Sequence, residues 1–257
     1  MKAVEKTHQV ETSSLHREAV PDGQADKWLE IFSIFIHDLE SPLASMKYLL
    51  KLIESGKLNL NDPIHARMVA SSRIAVDRAE SILYDVLSVA KSGQAGLPVT
   101  LSSVNADEII REVVTLAQGS AAERDVAVTA VPSGSRCQVS ADPALLRRVL
   151  DNLLYNAIRH TPGGGSIQVY AEQGENSVFI SVKDSGPGLG DVDHASLFDK
   201  YGQVQARLDG NHRGVGLGLY FCKLAATGMG GTVLADDHAE GGAVFSIKLQ
   251  KITGEKI

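Results

Sequence analysis

Cysteine is nearly missing from this chain: Cys137 and Cys222 are the two in 257 residues. Two isolated thiols support neither a disulfide framework nor a zinc site, and they fit a reducing compartment. Excess positive charge is missing too. A formal net charge of -6 leaves no basic footprint, which argues against nucleic acid as the main partner. No stretch approaches the roughly 20 apolar residues that span a bilayer, and Ile31 to Ile36 is only part of an amphipathic stripe. Met1 to Val10 is polar and charged, without the apolar core of a signal peptide. The expectation is a cytoplasmic protein with no membrane segment in this chain, or one whose sensor and membrane portions lie outside it. What is present, 44% hydrophobic residues, suffices for one large or two small domains.

Residues 1–24 are polar, end in Pro21-Asp22-Gly23, and read as a flexible lead-in. Beyond them Trp28, Phe32, Phe35, Leu39, Pro42, Met46, Leu49 and Ile53 recur at alternating steps of four and three, the seam of a coiled coil or bundle. Leu29, Ile36, Leu43 and Leu50 widen the stripe toward a four-helix core. In that register His37 takes the outward f position, beside Asp38 and one helical turn before Ser41. A break from Ser55-Gly56 to Asp62-Pro63 follows, with Asp62 as cap and Pro63 as first helical residue. A second seam then runs through Met68, Ser72, Ala75, Ala79, Ile82, Val86 and Val89. Two such apolar faces are too wide for two helices to bury, so a homodimeric four-helix bundle over 25–92 is the economical solution.

Residues 93–98 form a glycine-containing linker. From 99 to 251 the pattern is mixed, with 252–257 as tail. Ala106 to Ala117 and Asp142-Pro143 to about His160 are helical. Asp125 to Val131, Ile167 to Tyr170, Val178 to Lys183, Thr232 to Ala235 and Ala243 to Leu249 read as strands. Gly214 to Thr227 opens with glycines and continues as helix. Without regular βαβ alternation, the fold class expected here is an α+β sandwich with helices on one face.

Three strings in this part carry chemistry. Asn152, Asn156 and Arg159 fall close to one face of a helix, while Leu150, Leu153, Leu154 and Ala157 can face a core. An uncharged oxygen ligand near a cation suits a magnesium-bound polyphosphate. Asp184-Ser185-Gly186-Pro187-Gly188 follows a strand; its carboxylate can accept from an exocyclic amine, and its glycines allow close backbone approach. Gly214-Val215-Gly216-Leu217-Gly218-Leu219 opens a helix, whose terminal N–H groups favour phosphate. It is no Walker loop, lacking the Lys-Ser/Thr pair, and no clear strand leads into it as a Rossmann turn requires.

Taken in order, these strings resemble the catalytic core of two-component sensor histidine kinases. His37-Asp38-Leu39-Glu40-Ser41-Pro42-Leu43 looks like the H box, Asn152 to His160 the N box, and Asp184 to Gly188 the first glycine box. Leu197-Phe198-Asp199-Lys200-Tyr201 is similar to the F box, and Gly214 to Leu219 to the second glycine box, with a lid at about 202–213. The resemblance implies an all-α dimerisation and phosphotransfer hairpin, then an ATP-binding domain of the kind shared with gyrase, MutL repair proteins and the large heat-shock chaperone. It implies His37 as phosphoacceptor with Asp38 as general base, and ATP and Mg²⁺ as cofactors with Asn156 on the metal. The ATP-binding set becomes Asn152, Asn156, Arg159, His160, Asp184, Gly186, Gly188, Phe198, Arg213, Gly214, Gly216, Leu217, Gly218 and Leu219. The expected partner is an aspartate on a response-regulator receiver domain.

The chain departs from the family pattern at Glu40, Ser41 and Arg159, where arginine, threonine or asparagine, and lysine are usual. Ser41 stands at the position associated with phosphatase activity, so that activity is expected to be weak. Imidazole, with a pKa of about 6.5, is mostly neutral at cellular pH and can attack through one nitrogen while Asp38 takes the proton from the other. Two alternatives remain from the sequence: a clamp-type ATPase of the gyrase or repair class, and a degenerate kinase acting as a dimeric scaffold.

Overall fold

A computed structural model describes residues 43–91 (except 45), 97–199 (except 135) and 217–252. His37, Asp38 and Ser41 of the H box lie outside the described residues, as do Arg213, Gly214 and Gly216.

A helical segment at 46–54 ends where Gly56 takes a left-handed φ of 65°. There Lys57 N donates to Leu52 O at 3.1 Å and Gly56 N to Ile53 O at 3.0 Å, satisfying carbonyls that the helix end exposes. Helix α1, Pro63–Lys91, starts as the Asp62-Pro63 pair predicts: Ile64 N donates to Asp62 Oδ1 at 2.8 Å. No helix among the described residues is long and apolar enough to cross a membrane.

The second part is an α/β layer structure. In chain order it runs β1 (Ser102–Asn105), α2 (Ala106–Ala122), β2 (Ala127–Val131), β3 (Gln138–Ala141) and α3 (Pro143–His160). Then follow β4 (Ser166–Gln173), β5 (Ser177–Asp184), a 3₁₀ turn (Ser196–Phe198), α4 (Leu217–Gly228), β6 (Thr232–Asp237) and β7 (Ala243–Gln250). Five strands form one sheet in the order β2-β4-β5-β7-β6. The β2–β4 pair is parallel and the other pairs are antiparallel. Strands β1 and β3 make a separate antiparallel pair with Val104 opposite Val139.

Strand alternation decides which face is covered. Ile167, Val169 and Ala171 of β4, Val178, Ile180 and Val182 of β5, and Phe245, Ile247 and Leu249 of β7 are buried in one core. Their register pairs are Val169 with Val182 and Val182 with Phe245. The core continues into the helices through Ile110 and Val113 of α2, Leu146, Leu150, Leu153 and Leu154 of α3, and Phe221 of α4. The other sheet face carries the polar row: Ser181 and Ser246 hydroxyls meet at 2.7 Å, and the Lys248 ammonium lies 5.5 Å from the Phe179 ring centroid.

Helix α3, the central one, is bounded by local chemistry. Asp142 caps it, accepting from Ala144 N at 3.0 Å and Leu145 N at 3.1 Å, with Pro143 in the first turn. Its end is set by Thr161-Pro162, since proline pushes the residue before it out of helical geometry. Thr161 has ψ 127° and turns its hydroxyl back to the Ala157 carbonyl at 2.7 Å.

Candidate functional site

Asp184 is the last member of the inward row Val178, Ile180, Val182 of β5, so the strand's own period turns its carboxylate toward the helical layer. It is 5% exposed, a cost that an unpartnered carboxylate could not carry. Its Oδ1 accepts from Gly186 N at 2.8 Å and from Ala243 N at 3.2 Å. Oδ2 accepts nothing from the described residues and remains available to a ligand donor.

The glycines around it are there for space. A Cβ on Gly186 would stand 2.8 Å from Asp184 Oδ1 and 3.2 Å from the His160 carbonyl at the end of α3. Gly242, with φ of 88°, passes so close that a Cβ would run into the Asp184 carbonyl oxygen.

Asn152 is 3% exposed, not the surface residue a polar face would suggest. Its Nδ2 is buried with no hydrogen-bond partner among the described residues, and a Cβ on Gly218 would lie 3.0 Å from its Oδ1. Gly218 belongs to the first turn of α4, so α3 and the start of α4 meet across this asparagine. An orphaned buried donor is costly unless a ligand supplies an acceptor. An amide N–H suits a phosphate oxygen, whereas one turn later the half-buried Asn156 offers an amide oxygen of the kind Mg²⁺ takes. Arg159 is half-buried and His160 exposed. Among the described residues no group of three or more His, Cys, Asp or Glu could hold a metal ion.

Arg159, His160, Thr161 and Gly186 border an open groove of about 720 Å³ that also includes Arg124 and Pro187. A second cavity, about 460 Å³, lies between α2 and the end of β2 and contains none of the expected site residues. Phe198 is 3% exposed and packs edge-on against Phe245, with centroids 6.2 Å apart, while Lys223 of α4 bonds Asp199 at 2.7 Å. The F-box turn is thus tied to the sheet and to α4. Leu219 is buried on α4. Sequence reading did not anticipate Gly242, Ala243 or Asp237 beside the first glycine loop. The Gly241-Gly242 doublet was the available signal, since paired glycines mark a backbone that must turn tightly or come close to another.

A sheet covered by helices, with a buried carboxylate behind a glycine loop and an orphaned amide at a helix start, defines a nucleotide-binding α/β domain. Residues 141–253 match the family of histidine kinase-, DNA gyrase B-, and HSP90-like ATPases. The adaptive-response sensory kinase SasA of Synechococcus sp. (strain JA-2-3B'a(2-13)) is 26% identical over 227 residues, covering 85% of this chain and 58% of that protein. The catalytic domain of histidine kinase ThkA is 26% identical with a TM-score of 0.51, over 59% of this chain and 97% of that one. Full-length ShkA in complex with AMPPNP shares the fold with a TM-score of 0.61 at 24% identity, over 88% of this chain and 46% of that one. The chain therefore spans little more than half the length of the SasA relative. Over this region it is similar to the ATP-binding catalytic core of sensor histidine kinases.

Proposed function

We propose that this chain is an ATP-dependent protein-histidine kinase of a two-component system, with a dimerisation and phosphotransfer domain at 25–92, a linker at 93–98 and the ATP-binding domain at 99–251. The observation that carries the reading is the buried Asp184 carboxylate, held at one oxygen by two backbone amides beneath a glycine loop. Its second oxygen is available to accept from the adenine amine. Asn152 donates to a phosphate oxygen, Asn156 contributes an oxygen to Mg²⁺, and Arg159 adds positive charge. Bound Mg²⁺ supplies neutralisation of the polyphosphate charge. The positive end of α4 faces the same phosphates. His37 then attacks the γ-phosphorus in line, the bond from that phosphorus to the β,γ-bridging oxygen breaks and ADP leaves, while Asp38 takes the proton from the other ring nitrogen. The phosphoryl group passes to an aspartate on a separate response-regulator receiver domain. The pairing of two copies through the hairpin makes the unit a homodimer.

Incubation with γ-labelled ATP and Mg²⁺ tests this. Acid-labile, base-stable label on the protein is expected, and His37→Gln abolishes it while nucleotide binding stays near native. Inorganic phosphate without protein label would indicate the clamp ATPase, and neither product would indicate a scaffold.

A further inference from the structure

We infer that Asp237, at the end of β6, is a positioning residue for the first glycine loop; this rests on the ATP-site reading above. The loop leaves β5 at Asp184 and both its ends are fastened to one hairpin, β6–β7. At the carboxylate end, Ala243 N donates to Asp184 Oδ1 at 3.2 Å. At the glycine end, Leu189 N donates to Asp237 Oδ1 at 2.6 Å. Gly188, between them, has φ of 81°, and a Cβ there would stand 2.6 Å from that same Asp237 oxygen. The loop therefore lies directly on the carboxylate, in a conformation that side chains other than glycine rarely adopt.

The brace is itself held. His238 N donates to Gly242 O at 2.9 Å, closing the hairpin. His194 Nε2 lies 3.9 Å from Asp237 Oδ2, and its Nδ1 lies 3.8 Å from Asp236 Oδ1. Asp237 N donates to Asp236 Oδ1 at 3.0 Å. A carboxylate accepting a backbone N–H makes one of the stronger hydrogen bonds. Spending it on the loop rather than on the core means that it acts on loop order, and ordering a loop before the ligand arrives raises affinity by removing an entropic cost. Since the Asp237 side chain is 42% exposed, its removal leaves no cavity.

The test uses the full chain, with AMPPNP and Mg²⁺ as probe, calorimetry for affinity, thermal melting for the fold, and hydrogen exchange at the Leu189 amide. Asp237→Ala should raise Kd about tenfold, as loss of one charge-assisted bond implies. It should speed Leu189 exchange even without nucleotide and leave the melting temperature near native. Asp237→Asn, which keeps an acceptor, should stay within about threefold of native affinity. Asp236→Ala removes a neighbouring charge and one support of the brace but not the bond to Leu189, and should weaken binding clearly less than Asp237→Ala. Unchanged affinity and a protected Leu189 amide in Asp237→Ala would overturn the inference, as would equal weakening in Asp236→Ala. If the alanine variant loses its fold, the asparagine variant decides: native affinity supports the bond, and weakened affinity assigns the effect to charge and overturns it. A native chain that binds no nucleotide sinks the ATP reading instead, while Leu189 exchange still reports whether Asp237 holds the loop.

Discussion

In the proposed ATP site Asp184 would be both structural and recognitive, because its two oxygens have different surroundings. Oδ1 is committed to Gly186 N and Ala243 N, whereas Oδ2 faces no described donor. Asp184→Asn can satisfy both amides with its remaining oxygen but presents an NH₂ where the ligand's own amine must donate. Two facing donors leave both unsatisfied, a cost of about 1–3 kcal/mol, so nucleotide affinity should fall roughly 10- to 100-fold. The apo melting temperature should barely move. Calorimetric titration with ATP checks this, and native affinity in the variant would remove Asp184 from the site. Asn152 differs in kind. Its place in the N box was legible in the sequence, but its burial and the Nδ2 without a described partner were not, since asparagine on a helix usually means a solvated face.

At the level of elements, α3 carries two carboxylates with opposite responses to pH. For Asp142, burial is the largest influence and pushes the pKa up, but backbone donors at Thr100, Leu145 and Ala144 together bring it below the ordinary value. A depressed carboxylate stabilises the fold above its unfolded pKa, and that contribution disappears as pH falls through the folded one. Asp151 is raised to about 6, by burial first, opposed by Arg147 and Arg148 and reinforced by Glu112. For a raised carboxylate the sign reverses: stability declines as pH climbs from about 4 to about 6, then levels. The residue as a whole keeps solvent exposure, and screening reduces what the shift is worth. Asp151→Asn should therefore flatten the loss of melting temperature between pH 4.5 and pH 7 (roughly the window those values define), and Asp142→Ala should cost about 1 kcal/mol at pH 7 as a lost helix cap. An Asp151→Asn chain with the native pH slope would show that another group sets it.

Legibility followed the same scale. Helix α3 was readable to the residue because cap, proline and terminator are local. Strands β4, β5 and β7 were readable because a buried face imposes alternation, and their observed ends lie only a few residues further out. Strands β1 and β3 were not read. Each has only four residues, Ser102–Asn105 and Gln138–Ala141, too short for alternation to show, and each is paired with the other across the fold. The site divides likewise: Asp184 and its glycines announce themselves in one string, whereas Ala243 and Asp237 reach it across roughly fifty residues of chain through sheet register alone.

For the whole molecule, the disposition of α1 decides how two parts of the chain act on each other. With 29 residues it is about 43 Å long at 1.5 Å per residue. It packs against α4, and Ser71 Oγ donates to Glu123 Oε1 at 2.9 Å just past the end of α2, so it touches the second part of the chain at two elements. Within the single chain Ser72 and Ala79 are buried, but Val69, Val76 and Leu83 are at least a third exposed at seven-residue steps. Leu50, Ile53, Leu60 and Ile64 add to the uncovered apolar surface. An apolar row at heptad spacing along a helix is the kind of surface that a second helix covers, and a second copy is the simplest source. A full chain that is dimeric by sedimentation at micromolar concentration is the expected result. Val76→Glu should dissociate it, because a carboxylate at the centre of the row would have to be buried unpaired. The resulting monomer should still bind AMPPNP, since the Asp184 loop is held by bonds to β4, β6 and β7. A native chain that sediments as a monomer would overturn the dimer, and a Val76→Glu chain that stays dimeric would place the interface elsewhere.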